Sequence, residues 1–211
     1  MLKNILNESD RALKRNRKNK NKLPLIYEYP VTYEVYDGLP DDGNRYEVAD
    51  GTLELMGSPT PTHQSVLTEI LFVLNSGCRS EYLIYVAPID VILSDTEVRQ
   101  PDLVIIHRSR TSIIGKTAIT GAPDLVVEII SPWSRKRDKV QKLRTYAKYS
   151  IPEYWIIDSS NWTLEQYVLA DTSYELVEVY AEDEPVQSGR IRCASFTMND
   201  ISSKIPDSSG Q

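Results

Sequence analysis

The segment Leu125-Val126-Val127-Glu128-Ile129-Ile130 constrains this chain more than any other. A near-continuous apolar run bounded by Pro123 and Pro132 reads as a central strand covered on both faces. Glu128 is the one ionisable group inside it. An unpaired buried carboxylate is costly, so whatever fold forms must give Glu128 a partner, a proton or a cation. A second apolar run, Val98 to His107, contains Pro101-Asp102-Leu103-Val104, which repeats the opening of Pro123-Asp124-Leu125-Val126. Proline at the first residue of a strand is tolerated because it lacks only a donor that the ladder need not use there.

Strand parity sorts the carboxylates. Asp124 and Glu128 face the same way, but four residues separate them by about 13 Å, too far to ligate one ion together. Asp102 is on another strand and becomes the partner of Glu128 if the two strands are neighbours. A hard divalent cation between an aspartate and a glutamate is the simplest chemical reason for such a pair.

Around these strands the pattern predicts a short helix near Tyr33 to Gly38 and then a hairpin. Arg45 to Ala49 and Thr52 to Met56 flank Asp50-Gly51, a pair suited to a two-residue type I′ turn. That turn sets Ala49 against Thr52, Val48 against Leu53, Glu47 against Glu54 and Tyr46 against Leu55. A helix starts at the Pro59-Thr60-Pro61-Thr62 break, carries Val66, Leu67, Ile70, Leu71, Val73 and Leu74 at helical spacing, and ends at Gly77. Strands are expected at Tyr82 to Leu93, Val98 to His107 and Asp124 to Ser131. A helix follows over Ser134 to Ser150, capped by Ser134 and closed by Pro152. Glu153 to Asp158, Thr163 to Leu169 and Tyr174 to Tyr180 read as strands, the last two as a hairpin, with only short strands beyond Ala181. The fold class is α/β or α+β, a sheet core flanked by at least two helices, with the hairpin near its N-terminal end.

Two further features bear on chemistry. Glu47 opposite Glu54 places like charges on one face, which costs about 0.2–1 kcal/mol unless both are wet or a cation such as Arg45 screens them. On the helix after Glu128, Val140, Leu143 and Ala147 form the apolar stripe. At 100° per residue Lys142 falls roughly 130° from its centre, which reads as an exposed member of an i, i+4 pair with Asp138.

The net charge of −6 hides an asymmetry: eight Lys and Arg stand against Glu8 and Asp10 in residues 1–22, leaving +6 there and −12 on the remaining 189 residues. Residues 1–22 read as a basic, flexible tail, either simply solvated or touching phosphates. Residues 23–207 read as one domain, and 208–211 as a loose C-terminus. Cys78 and Cys193, far apart and without CxxC spacing, argue against a disulfide framework or a zinc cluster and for a reducing, cytoplasmic compartment. No apolar run reaches the length of a membrane helix. Trp133, Trp155 and Trp162 read as core residues rather than base-stacking platforms.

Arg45-Tyr46-Glu47 through Gly51, His63-Gln64, Pro101-Asp102, Pro123-Asp124 through Glu128-Ile129-Ile130-Ser131-Pro132, the Asp138/Lys142/Tyr146 spacing and Pro152-Glu153-Tyr154-Trp155 together resemble the Uma-two family of restriction-endonuclease-like proteins. That family is part of the PD-(D/E)XK nuclease superfamily. The resemblance runs from about Tyr33 to Asp158. It implies a restriction-endonuclease-like central mixed β-sheet flanked by helices, in a Mg²⁺-dependent endonuclease, with Mn²⁺ as a substitute. The expected substrate is nucleic acid, DNA first, and a homodimer is the expected assembly. Asp102 and Glu128 would ligate the metal. Glu47 would match an early acidic residue that contacts it through water, with Glu54 as a weaker candidate. The superfamily pattern wants lysine two residues after Glu128, where this chain has Ile130, and the helical Lys142 with Tyr146 is similar to a replacement. That reading puts Lys142 in the site, against its helical periodicity. His63 is similar to a family histidine, although a polar contact at a helix start explains it equally well. The rival readings are a nuclease-like module that binds nucleic acid or a protein without cutting, and a hydrolase of another phosphate ester.

Overall fold

The structure, a computed structural model, describes residues 30–130 and 137–206. The basic segment 1–22, Ser134 and residues 208–211 lie outside them. The chain divides into two compact units, residues up to Gly57 with Ser94–Arg99, and Ser58–Leu93 with the remainder from Gln100. The sequence reading took 23–207 as one domain.

The smaller unit is built on local signals. Thr32 accepts from Val35 N at 3.4 Å and opens helix α1, Tyr33–Asp37. Strands β1, Arg45–Ala49, and β2, Thr52–Met56, pair in the expected register. The turn forms because Asp50 and Gly51 both take positive φ, 47° and 77°, as a type I′ turn requires. Strand β5, Glu97–Arg99, joins the other edge of β1, with Val48 opposite Val98. A Cβ on Gly51 would fall 2.7 Å from the Cβ of Pro30. Gly51→Ala combines that overlap with a strained left-handed conformation and is expected to cost about 1–3 kcal/mol, read as a lowered urea midpoint.

The larger unit carries a six-stranded mixed sheet in the order β11-β10-β9-β8-β6-β3. Its strands are β3 (Tyr82–Val86), β6 (Leu103–His107), β8 (Leu125–Ile130), β9 (Glu153–Asp158), β10 (Thr163–Ala170) and β11 (Ser173–Ala181). Only β8 and β9 run parallel; the other neighbours are antiparallel. Helix α2, Pro61–Cys78, lays Val66, Leu67, Ile70 and Leu74 over Leu103, Leu125, Val127, Ile129 and Trp155. On the opposite face Val126, Ile130, Tyr154 and Ile156 pack with Tyr146 of helix α3, Leu143–Lys148. On that face, too, Val104 and Ile106 meet Val91 and Ile119, from β4 (Asp90–Ser94) and β7 (Ala118–Thr120). Every residue of β8 and of β9 is buried, which is why their sequences do not alternate.

The structure departs from the sequence reading in several places. Tyr82 to Leu93 breaks at Pro88 into β3 and β4, and Val98 to His107 breaks at Pro101 into β5 and β6, because a proline cannot donate to a ladder. The expected helix over Ser134 to Ser150 is, in its described part, a π-helical turn at Arg137–Lys142 leading into α3. Among the described residues no strand follows Ala181; instead a helix, α4, spans Met198–Ser202, opened by a Thr197/Asp200 capping box. Cys78 and Cys193 are disulfide-bonded, with Cα atoms 5.1 Å apart. The missing CxxC motif therefore misled: the fold brings the end of α2 to a segment 115 residues away. Among the described residues no helix is long and apolar enough to cross a membrane.

Candidate active site

The antiparallel register of β6 and β8 sets Leu103 opposite Val127. Asp102 directly precedes Leu103, beside the part of β8 that carries Glu128. Ile129 N donates to Asp102 Oδ2 at 2.8 Å, and His63 Nε2 lies 3.1 Å from the same oxygen. His63 reaches it from the first turn of α2, where its own main-chain N–H is taken by Thr60 Oγ1. The helix-start bond is thus made by the main chain alone, and the imidazole contacts Asp102. Asp102 keeps 17% of its side chain exposed, and its Oδ1 has no hydrogen bond among the described residues.

Glu128 is more deeply set. Its Oε1 accepts from Lys142 Nζ at 2.5 Å and from Tyr146 Oη at 2.8 Å. Lys142 is 1% exposed and also lies 3.6 Å from Asp138 Oδ1. Its amine therefore bridges two buried carboxylates, which is the partner that an ionised Glu128 in this strand requires. Asp138, Lys142 and Tyr146 are all buried while Val140 is 41% exposed; Leu143 and Ala147 of the stripe drawn at 100° per residue do face the core, so the departure lies at Val140 and the polar side. The wheel fails because Arg137–Lys142 is a π turn, in which each hydrogen-bonded ring holds one residue more and successive side chains rotate by less. Tyr154 Oη, donating to Asp138 O at 3.2 Å, closes the floor of the site. Burial, with Glu128 and then Asp138 acting in the same direction, pushes that phenol well above its ordinary pKa.

Ile130, at the usual lysine position, is buried in the apolar cluster that holds Val126 and Tyr154. Lys142 thus delivers an amine to Glu128 from the covering helix rather than from the strand. Asp124 takes no part. It accepts from His107 N at 2.8 Å and pairs with Arg110 Nη1 at 2.9 Å.

Glu47 and Glu54 belong to the smaller unit. Glu47 is fully buried and sits 3.3 Å from Arg99 Nη1, while Glu54 Oε2 is 4.0 Å from the same nitrogen. Arg99 Nε also donates to Glu97 Oε1 at 2.5 Å. Arg99 therefore places a cation between the like-charged pair, and Glu54 also keeps 30% of its side chain exposed. Glu97 and Arg99 were missed because they lie in what reads as a single strand running to His107.

The donor set can be tested against a metal. Glu128 and Asp102, the latter bonded to the N–H of Ile129, offer oxygen ligands only, which suits a hard cation. Among the described residues no three His, Cys, Asp or Glu groups converge to form a cage. Mg²⁺, which keeps several waters and takes one or two carboxylates plus substrate phosphates, fits that arrangement; a structural zinc site does not.

The mixed sheet flanked by helices is that of the restriction-endonuclease-like class. A family model, Uma2, described as "Putative restriction endonuclease", matches residues 33–193, and the chain belongs to that family. The fold is shared with a crystal structure of a "putative nuclease belonging to DUF820" from Anabaena variabilis ATCC 29413. The TM-score is 0.69 at 21% identity, over 82% of this chain and 98% of that one. No curated protein matches.

Proposed function

We propose that the chain is a metal-dependent endonuclease of the PD-(D/E)XK type, hydrolysing phosphodiester bonds of nucleic acid, DNA in the first instance. What supports this reading is a cluster along β8: Glu128, held by the Lys142 amine and the Tyr146 hydroxyl, and Asp102, bonded to the N–H of the next residue, Ile129. Asp102 and Glu128 would hold Mg²⁺ or Mn²⁺. Such an ion, when bound, makes water a nucleophile near neutral pH and offsets charge developing on the scissile phosphate.

The chain's own groups do the rest. Lys142, fixed between Glu128 and Asp138, would place a buried positive charge beside Glu128, where it can stabilise charge developing on the attacking oxygen or the phosphate. Tyr146 holds the Glu128 carboxylate in one orientation, and the Ile129 N–H does the same for Asp102. His63 sits where it can turn Asp102 or meet an incoming phosphate.

Purified protein is expected to cleave DNA with Mg²⁺ and not with EDTA. Asp102→Asn and Glu128→Gln are each expected to lower the rate by about a hundredfold or more. Cleavage that survives both substitutions would remove the assignment. Binding of DNA that ignores metal and both substitutions, with no cleavage, would identify a non-cutting module.

A further inference from the structure

At the other end of β8 from Glu128, an open cleft of about 620 Å³ is walled by Arg110, Arg190 and Arg192 with Tyr82 and His107. Asp124 and Glu153 also line it, yet both carboxylates are already engaged. Asp124 accepts from His107 N and pairs with Arg110 Nη1, with Arg190 Nη1 3.8 Å away. Glu153 accepts from Trp155 Nε1, Gln166 Nε2 and Ser188 Oγ at 2.6, 2.7 and 2.8 Å.

Those bonds build a platform. Ser188 Oγ, held by Glu153, accepts from Arg190 N and Ile191 N, and Tyr82 Oη donates to Arg190 O at 3.0 Å. The main chain that presents Arg190 and Arg192 is thereby tied down at three points, while both side chains stay exposed. Among the described residues the Arg190 guanidinium has only the 3.8 Å contact with Asp124, and Arg192 only a 3.4 Å bond from Nε to Gly189 O. Two guanidiniums with most of their donors unspent, on a rigid backbone beside an edge-to-face Tyr82–His107 pair 5.1 Å between centroids, suit one ligand class. Guanidinium forks match phosphate oxygens, the partly exposed His107 ring, backed edge-to-face by the buried Tyr82, offers a surface for an attached organic group, and the volume is that of a small-molecule site.

We propose that this cleft binds a phosphate monoester of nucleotide size, the phosphate between Arg190 and Arg192 and the organic body against Tyr82 and His107. The site lies about 13 Å along the strand from Glu128 and does not depend on the nuclease reading. The ligand is either a free nucleotide or the phosphorylated end of a strand, which share this chemistry.

Calorimetry on the full chain in EDTA tests it. Adenosine 5′-monophosphate or a 5′-phosphorylated oligonucleotide is expected to bind at least about tenfold tighter than adenosine or the 5′-hydroxyl oligonucleotide. Preference shown by the mononucleotide identifies a free nucleotide as the ligand, and preference shown by the oligonucleotide alone identifies a strand end. The R190A/R192A double variant should weaken binding about tenfold or more with an unchanged melting temperature, since both side chains are exposed. Asp102→Asn should leave it intact. The proposal falls if the phosphorylated and unphosphorylated ligands bind alike, if R190A/R192A binds as wild type does, or if Asp102→Asn abolishes binding and so moves it to the acidic site.

Discussion

Lys142→Met is expected to lower the unfolding free energy by about 3–5 kcal/mol, because removing one partner of a buried ion pair leaves an uncompensated charge. Two carboxylates lose the amine here: Glu128, to which Tyr146 still donates, and Asp138. Methionine is close to lysine in length, so a cavity contributes little. In the double variant Lys142→Met/Glu128→Gln the amide no longer brings a charge and still accepts from Tyr146, so at least half of the lost stability should return. Urea titrations of the three proteins measure this. Cleavage follows the opposite pattern: both variants should be slower than wild type by about a hundredfold or more at a temperature where each is folded. Stability that recovers without activity would separate the structural work of Lys142 from its chemical work. A single variant as stable and active as wild type would place the amine outside the site.

Much of this was legible in the sequence. The apolar run around Glu128 predicts a strand covered on both faces, and parity excludes Asp124 and points to Asp102. The β6/β8 register then sets Leu103 opposite Val127, and Asp102, one residue earlier, accepts from Ile129 N next to Glu128. The hairpin was readable to the residue because an Asp-Gly turn leaves no freedom of register. Lys142 was not readable from periodicity, since a helical wheel assumes a constant rotation that the π turn breaks; only the family resemblance placed it near Glu128. Arg99 was hidden in a run taken for one strand, and its three carboxylate partners come from β1, β2 and β5. The arginine cleft was hidden for a related reason: Arg110 and Arg190 meet at Asp124 across 80 residues of chain. Pairings of that kind depend on topology, to which spacing is blind.

Arg99→Met is expected to be at least as damaging to stability as the loss of Lys142, again about 3–5 kcal/mol. The guanidinium holds Glu97 at 2.5 Å and Glu47 at 3.3 Å, both in the interior of the smaller unit. Glu97 in turn accepts from Asp50 N at 2.9 Å, so an unpaired Glu97 also disturbs the turn that sets the β1/β2 register. The contact with Glu54 is longer, at 4.0 Å, and that side chain is 30% exposed. Glu54→Gln should therefore cost less than about 1 kcal/mol. Adding Glu47→Gln to Arg99→Met removes one buried charge and should recover part of the loss, whereas adding Glu54→Gln should recover almost none. Urea midpoints in that order would establish Arg99 as the group that makes the Glu47/Glu54 pairing tolerable; Arg99→Met within about 1 kcal/mol of wild type would refute it. Glu47→Gln alone keeps an acceptor for Arg99 and should remain folded, so its cleavage rate tests its role directly. A rate near wild type confines Glu47 to the hairpin, and a large fall in a protein of normal stability assigns it to the reaction.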